Sequence, residues 1–204
     1  MKICVLIKQV PDKNSSLTIA EDYRSLEETN ITWVSNESDN YALEEALLLK
    51  EAHGGEVIAC TLGRESAGQI LKDAMAKGAD RSIFLSDSQF ENLDILSLAK
   101  VFAAALRDEK FDLILSGLQS DDQGNSQLGL LLAELLGMSH ASLVMGTEVL
   151  DDNTIKVKRE LEGGWFQWTK LYLPASISIQ SGLNTPRYAT LKGIMMVKNK
   201  TTDK

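Results

Sequence analysis

"FDLILSGLQSDDQGNSQLGLLLAELLG", residues 111–137, is the stretch from which the rest of the chain can be read. An apolar run of strand length leads into a polar loop holding Gly117, Gly124 and Gly129, the adjacent acids Asp121 and Asp122, and four amide side chains. A leucine-rich helix over 126–136 follows and stops at Gly137, the usual residue just past a helix end. Strand, loop and helix in this order are half of a βαβ unit.

Working outward, short runs rich in Val, Ile and Leu at 2–7, 56–62, 82–85 and 112–116 predict strands. Helical spacing separates them. Residues 40–53 carry Ala42, Ala46 and Leu49 before the stop signal Gly54-Gly55, residues 66–77 end at Gly78, and residues 93–107 form a third helix. Alternating strands and helices predict an α/β fold, with a parallel sheet covered by helices on both faces.

After about residue 139 the period changes to two. Residues 154–161 and 165–173 alternate on either side of Gly163-Gly164, which predicts an antiparallel hairpin appended to the sheet within 139–180. Trp165 and Trp168 read as hairpin packing rather than as a stacking platform. The polar stretch 11–30 has weak strand signals at 17–19.

The 204 residues suffice for one sizeable core. A hydrophobic fraction of 44% with 25% charged residues is ordinary for a globular domain. The net charge of −8 and the lack of Lys/Arg clusters speak against nucleic-acid binding, and the mildly basic 192–204 reads as a solvated tail. No apolar run approaches the length of a membrane span or secretory signal, so a cytoplasmic protein without membrane insertion is expected. Cys4 and Cys60 fall within strands and read as buried free thiols; two histidines are too few for a zinc-type site, and no metal is expected.

In a parallel sheet, ligands bind beyond the carboxyl ends of the strands. Three loops there have suitable chemistry: 36–39, 63–66 and 117–128. Each also has a plainer reading, since Asn36, Ser38 or Asp39 could cap a helix and Gly63 and Gly117 could permit tight turns. Together they form a cradle in which backbone N–H groups and a helix dipole hold a phosphate without any cationic side chain. Such a cradle suits holding a nucleotide more than hydrolysing one. The Gly-rich, Walker and nucleophile-elbow motifs are missing, and Asp121-Asp122 reads as a polar loop, so no catalytic residue is expected.

Five stretches carry a resemblance: "VLIKQVPD", "SNESDNYALEEALLLKEAHGGEVIACTLG", "AMAKGADRSIFL", "GLQSDDQGNSQLG" and "LNTPRYATLKGIM". In this order they resemble the β subunit of electron transfer flavoproteins over nearly the whole chain. The resemblance implies the family's adenine-nucleotide α-hydrolase-like, Rossmann-like domain over 1–183, followed by a partner-recognition segment and tail over 184–204. It implies an electron carrier rather than an enzyme, a heterodimer with an α subunit that holds most of a shared FAD site, and reduction by flavin-dependent dehydrogenases.

In ordinary members the β subunit buries AMP; in electron-bifurcating members an FAD takes that place. By the same resemblance the nucleotide meets Leu6, Asn36, Glu37, Ser38, Asp39 and Leu62, together with Gly117, Gln119, Asp122, Gly124 and Asn125, and its phosphate meets Ser126, Gln127 and Leu128. The partner contacts are Pro186, Arg187, Tyr188 and Leu191. Leu191 taken alone favours packing into its own subunit, and the resemblance makes it a protruding anchor. The pattern departs from many members at 119–125 and at Glu37, where they have proline. Two rival readings are a bifurcating flavoprotein whose β subunit holds FAD, and a nucleotide-binding assembly or sensor module without electron transfer.

Overall fold

The computed structural model describes residues 1–23, 25–90 and 93–204. In chain order the elements are β1 (Lys2–Leu6), β2 (Gln9–Pro11), β3 (Trp33–Ser35), α1 (Glu37–His53), β4 (Glu56–Leu62), α2 (Gly68–Lys77), β5 (Arg81–Leu85) and α3 (Ile95–Leu106). There follow β6 (Leu113–Gly117), α4 (Leu128–Leu136), β7 (Ser139–Asp151), β8 (Thr154–Glu160), β9 (Phe166–Tyr172), β10 (Ala175–Ile179), α5 (Leu191–Met196) and β11 (Thr202–Asp203).

Nine strands form one sheet in the order β11-β5-β4-β1-β6-β10-β7-β8-β9, parallel from β11 to β7 and antiparallel beyond. The chain runs outward from β1 through β4 to β5 and then returns to β6 on the other side of β1. The switch in strand order therefore lies between β1 and β6, where ligands collect in such sheets.

Side-chain alternation along β1 feeds two cores. Ile3 and Val5 pack with Leu43 and Leu47 of α1 and Leu71 of α2, while Cys4 and Leu6 pack with Phe102 and Leu106 of α3 and Leu132 of α4. Both faces of the central strands are thus dry, which is why those strands read as unbroken apolar runs. Cys4 and Cys60 are free and buried, and burial pushes the Cys4 thiol well above its ordinary pKa.

Three features differ from the sequence reading. The expected hairpin is a three-stranded meander, because β7 first pairs in parallel with β10 and then antiparallel with β8. A register shift opposite Ile177 and Ile179, with Leu143 at φ 58°, marks the bulge where β7 leaves the parallel sheet. Second, β10 is a buried central strand with no counterpart in the sequence reading, since Ser176 and Ser178 interrupt its apolar run. Third, the tail is docked. Gly193 of α5 lies so close to α2 that a Cβ there would stand 2.1 Å from the Ala76 carbonyl oxygen. The Lys200 ammonium donates to the Met75 and Ala79 oxygens at 2.8 and 2.6 Å, and β11 joins the sheet beside β5. The stretch 11–30 lies largely between β2 and β3, which pair antiparallel, and among its described residues Ile19 and Leu26 form a bridge.

Candidate functional site

The carboxyl ends of β1, β4, β5 and β6 and the amino end of α1 surround a cleft of about 610 Å³. Its geometry rests on Asp39 in the first turn of α1. One carboxylate oxygen accepts from the Lys8 backbone N–H at 2.8 Å and the other from the Gly117 N–H at 2.9 Å. A single buried side chain thus ties β1 to β6 across the switch point. Burial pushes its pKa up to about 7, although bonds from Lys8, Asn36 and Gly117 pull the other way.

Neighbouring residues of α1 clamp the long loop after β6. The Asn36 amide donates to the Gln119 carbonyl at 2.9 Å, its side-chain oxygen accepts from the Asp121 N–H at 2.9 Å, and the Ser38 hydroxyl donates to the same Gln119 carbonyl at 2.7 Å. Asn36 stands at the N-cap position of α1 but makes no capping bond there; within the helix its amide donates to the Ser38 hydroxyl at 3.0 Å. Gly117 is needed for proximity rather than for a turn: a Cβ there would lie 2.1 Å from the Ser38 hydroxyl oxygen and 2.7 Å from the Asp39 backbone nitrogen.

The cradle does contain a cation, supplied from elsewhere in the chain. The Lys8 ammonium, just beyond β1, holds both Asp122 oxygens at 2.7 Å and reaches Ser120 and Gln123. Burial raises the Asp122 pKa, but the bonds from Lys8 and Ser120 outweigh it and leave the carboxyl below the ordinary range. Asp121 turns the other way and accepts from the Glu37 N–H at 3.3 Å. The two adjacent acids are therefore spent on separate structural bonds. Among the described residues no group of three or more His, Cys, Asp or Glu could hold a metal ion.

Beyond the clamp the loop enters α4 through two left-handed residues, Gly124 at φ 62° and Ser126 at φ 55°. The left-handed Ser126 delays the helix to Leu128, two residues later than its spacing predicts. Its hydroxyl bonds the Gln119 side chain at 2.9 Å. Gln127, the N-cap, offers no side-chain bond to the helix it precedes. The first N–H groups of α4 lack intrahelical acceptors, and the positive end of its dipole faces the cleft. Ser116, also on the cleft wall, keeps a buried hydroxyl with no hydrogen-bond partner among the described residues.

Of the expected contacts, Leu6 and Leu62 line the cleft, as do Asn36, Asp39, Gly117 and Gln119. Asp122, Asn125, Ser126, Gln127 and Leu128 line it as well, while Glu37, Ser38 and Gly124 stand off the wall. Sequence reasoning missed Lys8 and an apolar chamber formed by Phe90, Leu93, Ile95, Leu98 and Phe102 around the start of α3. Lys8 was findable, since it follows β1 directly at the carboxyl edge. The chamber was not, because its residues read as ordinary helix-face apolar positions.

The segment after β10 presents a second surface. Leu191 is 82% exposed and Tyr188 93%, with Ile194, Met195 and Met196 exposed beside them, whereas Pro186 is half-buried and Arg187 is ion-paired to Glu44 and Glu51 of α1. The packing reading of Leu191 is thus replaced by exposure.

The family model described as "Electron transfer flavoprotein domain" matches residues 25–204. The chain belongs to the electron transfer flavoprotein family. Within it, the chain is similar to proteins named electron transfer flavoprotein subunit beta. Identity is 34% over 203 residues with that of Methylophilus methylotrophus and 36% over 203 residues with that of Bradyrhizobium diazoefficiens, covering 98% of this chain in each case and 77% and 79% of the relatives. It is also 34% identical over 197 residues, 96% of this chain and 74% of the relative, to a protein of Acetobacterium woodii named caffeyl-CoA reductase-Etf complex subunit CarD. The mostly parallel sheet flanked by helices is consistent with the fold of this family. Among the described residues no helix is long and apolar enough to cross a membrane.

Proposed function

We propose that this chain is the β subunit of a cytoplasmic, heterodimeric electron carrier, that its cleft buries AMP, and that it assists an FAD-bearing α subunit in taking electrons from flavin-dependent dehydrogenases. The observation that carries the reading is the uncapped start of α4 beside the orphaned Ser116 hydroxyl, in a cleft that is also lined by the apolar side chains Phe90, Leu93, Ile95, Leu98 and Phe102. These residues fit a nucleotide: Ser126, Gln127 and Leu128 offer backbone donors to a phosphate, and Leu62, Phe90 and Phe102 offer an apolar place for a flat ring.

The flavin supplies the redox chemistry when bound; this chain supplies binding and orientation. Asp39 is committed to two backbone N–H groups and Asp122 to Lys8, so neither carboxylate is placed as a free base. Leu191 and Tyr188 form the dehydrogenase-facing surface. The test is a photometric one. A flavin-dependent dehydrogenase with its substrate should bleach the flavin of the purified heterodimer, and absence of reduction by any dehydrogenase tried would count against electron transfer and for a sensor or assembly role.

A second reading places FAD in this cleft. Its volume and its likeness to a subunit of a caffeyl-CoA reductase-Etf complex favour that reading. Two flavins per heterodimer instead of one would establish it.

A further inference from the structure

Helix α1 serves both surfaces just described. Its first turn, through Asn36, Ser38 and Asp39, builds the cleft wall. Its later turns hold the segment that leads to Leu191. The Arg187 guanidinium grips the Glu44 carboxylate at both oxygens, Nε to Oε2 and Nη2 to Oε1, each at 2.9 Å, and the Arg187 backbone N–H donates to the same carboxylate at 3.0 Å. A third arm of the fork reaches Glu51 at 2.5 Å. Three residues earlier, the Asn184 amide donates to the Tyr41 carbonyl and to Glu45, both at 3.1 Å. Six residues later, Gly193 is pressed against Ala76 of α2.

Tyr188 and Leu191 therefore sit on a short span fixed at both ends. Glu44 is 7% exposed at its side chain and lies beneath Arg187, which is 31% exposed. A docking protein could touch Arg187; it could not reach Glu44.

We propose that Glu44 is a positioning residue for dehydrogenase docking: through its bidentate pair with Arg187 it holds Tyr188 and Leu191 in the conformation a partner recognises, so that little ordering remains to be done on binding. Immobilising flexible side chains and backbone at an interface costs affinity, and an anchor that does so in advance returns it. A planar fork gripping one carboxylate is suited to fix direction as well as distance. The proposal rests on the docking role of Leu191 given above.

The experiment uses the heterodimer as substrate for a dehydrogenase that reduces it, and compares Glu44→Gln, Arg187→Ala, their double variant and Leu191→Ala. Glu44→Gln and Arg187→Ala should each raise KM about tenfold with kcat moving less than twofold, and the double variant should be no worse than the poorer single, because both break one unit. Flavin and nucleotide content should stay at parent levels. If Glu44→Gln keeps the parent KM while Arg187→Ala raises it, Arg187 touches the dehydrogenase directly and the proposal is overturned; multiplying effects in the double variant overturn it as well. Should Glu44→Gln fail to assemble, Arg187→Lys, which keeps the charge and loses the fork, decides instead: a raised KM supports positioning and an unchanged KM refutes it. A parent KM for Leu191→Ala would show that the docking reading itself has failed, whatever Glu44 does.

Discussion

Replacing Gly117 by alanine tests the joint between β6 and α1, on which the cleft depends. The added Cβ would stand 2.1 Å from the Ser38 hydroxyl oxygen, 2.4 Å from an Asp39 carboxylate oxygen and 2.7 Å from the Asp39 backbone nitrogen. Ser38 can rotate away, at the loss of its 2.7 Å bond to Gln119. The Asp39 nitrogen belongs to the first turn of a helix and moves only if α1 shifts. Overpacking of this kind costs about 1–3 kcal/mol, and loss of the Gly117 bond to a carboxylate about 1.5–3 kcal/mol more. Taking roughly 3 kcal/mol as the lower end, a chain of this size should lose about 6–12 °C in Tm. Gly124→Ala is the comparison. There the residue has φ 62° and an added Cβ would meet only the Gln119 side-chain oxygen, at 4.0 Å, so only the left-handed backbone is penalised, at about 1–2 kcal/mol. Thermal denaturation of the heterodimer at constant nucleotide concentration reads both. A Gly117→Ala protein melting within about 2 °C of the parent, or above Gly124→Ala, would refute the close approach of α1 to β6 as the reason for this glycine.

Three further outcomes are expected. Gly124→Val should lower nucleotide content after gel filtration more than Asp121→Ala, because a β-branched residue resists the left-handed turn into α4 while Asp121 makes one long bond to Glu37; the reverse order would give the carboxylate the larger role. The folded protein holds the Asp39 proton more tightly than the unfolded chain, so the stability it contributes is full below about pH 4 and is lost as pH rises towards about 7, on the order of 4 kcal/mol in all. Urea midpoints across that range should fall, and Asp39→Asn should flatten the slope; an unchanged slope in the variant would assign it to another group. Leu191→Ala should slow dehydrogenase-driven reduction about tenfold or more, from the roughly 1.5–3 kcal/mol of burying one aliphatic side chain, with Tm unchanged; a variant that melts well below the parent would make Leu191 a core residue.

Much of the fold was legible because β1, β4, β5 and β6 are dry on both faces and therefore written in Val, Ile, Leu and Ala. What the sequence concealed has physical reasons of its own. In β10, Ser176 and Ser178 lie beneath the first turn of α4, where Ser176 donates to the Gly129 carbonyl at 2.9 Å, so small polar residues replace the apolar signal at a fully buried strand. Ser126 adopts a conformation that its identity does not announce, and it shortens α4. The remaining gaps are pairings between distant residues. Lys8 meets Asp122 and Glu44 meets Arg187 only because the sheet order brings them together, and no local period encodes such contacts. The α5–β11 tail is too short to carry a period, and its place is set by Gly193 against Ala76 and by Lys200 on the end of α2.

The cleft as a nucleotide site is the claim on which the rest depends. The direct measurement is to denature the heterodimer, purified without added nucleotide, and to identify and count by mass what it releases. One AMP and one FAD per heterodimer is the predicted result. Release of no adenine nucleotide beyond that single FAD would contradict the account.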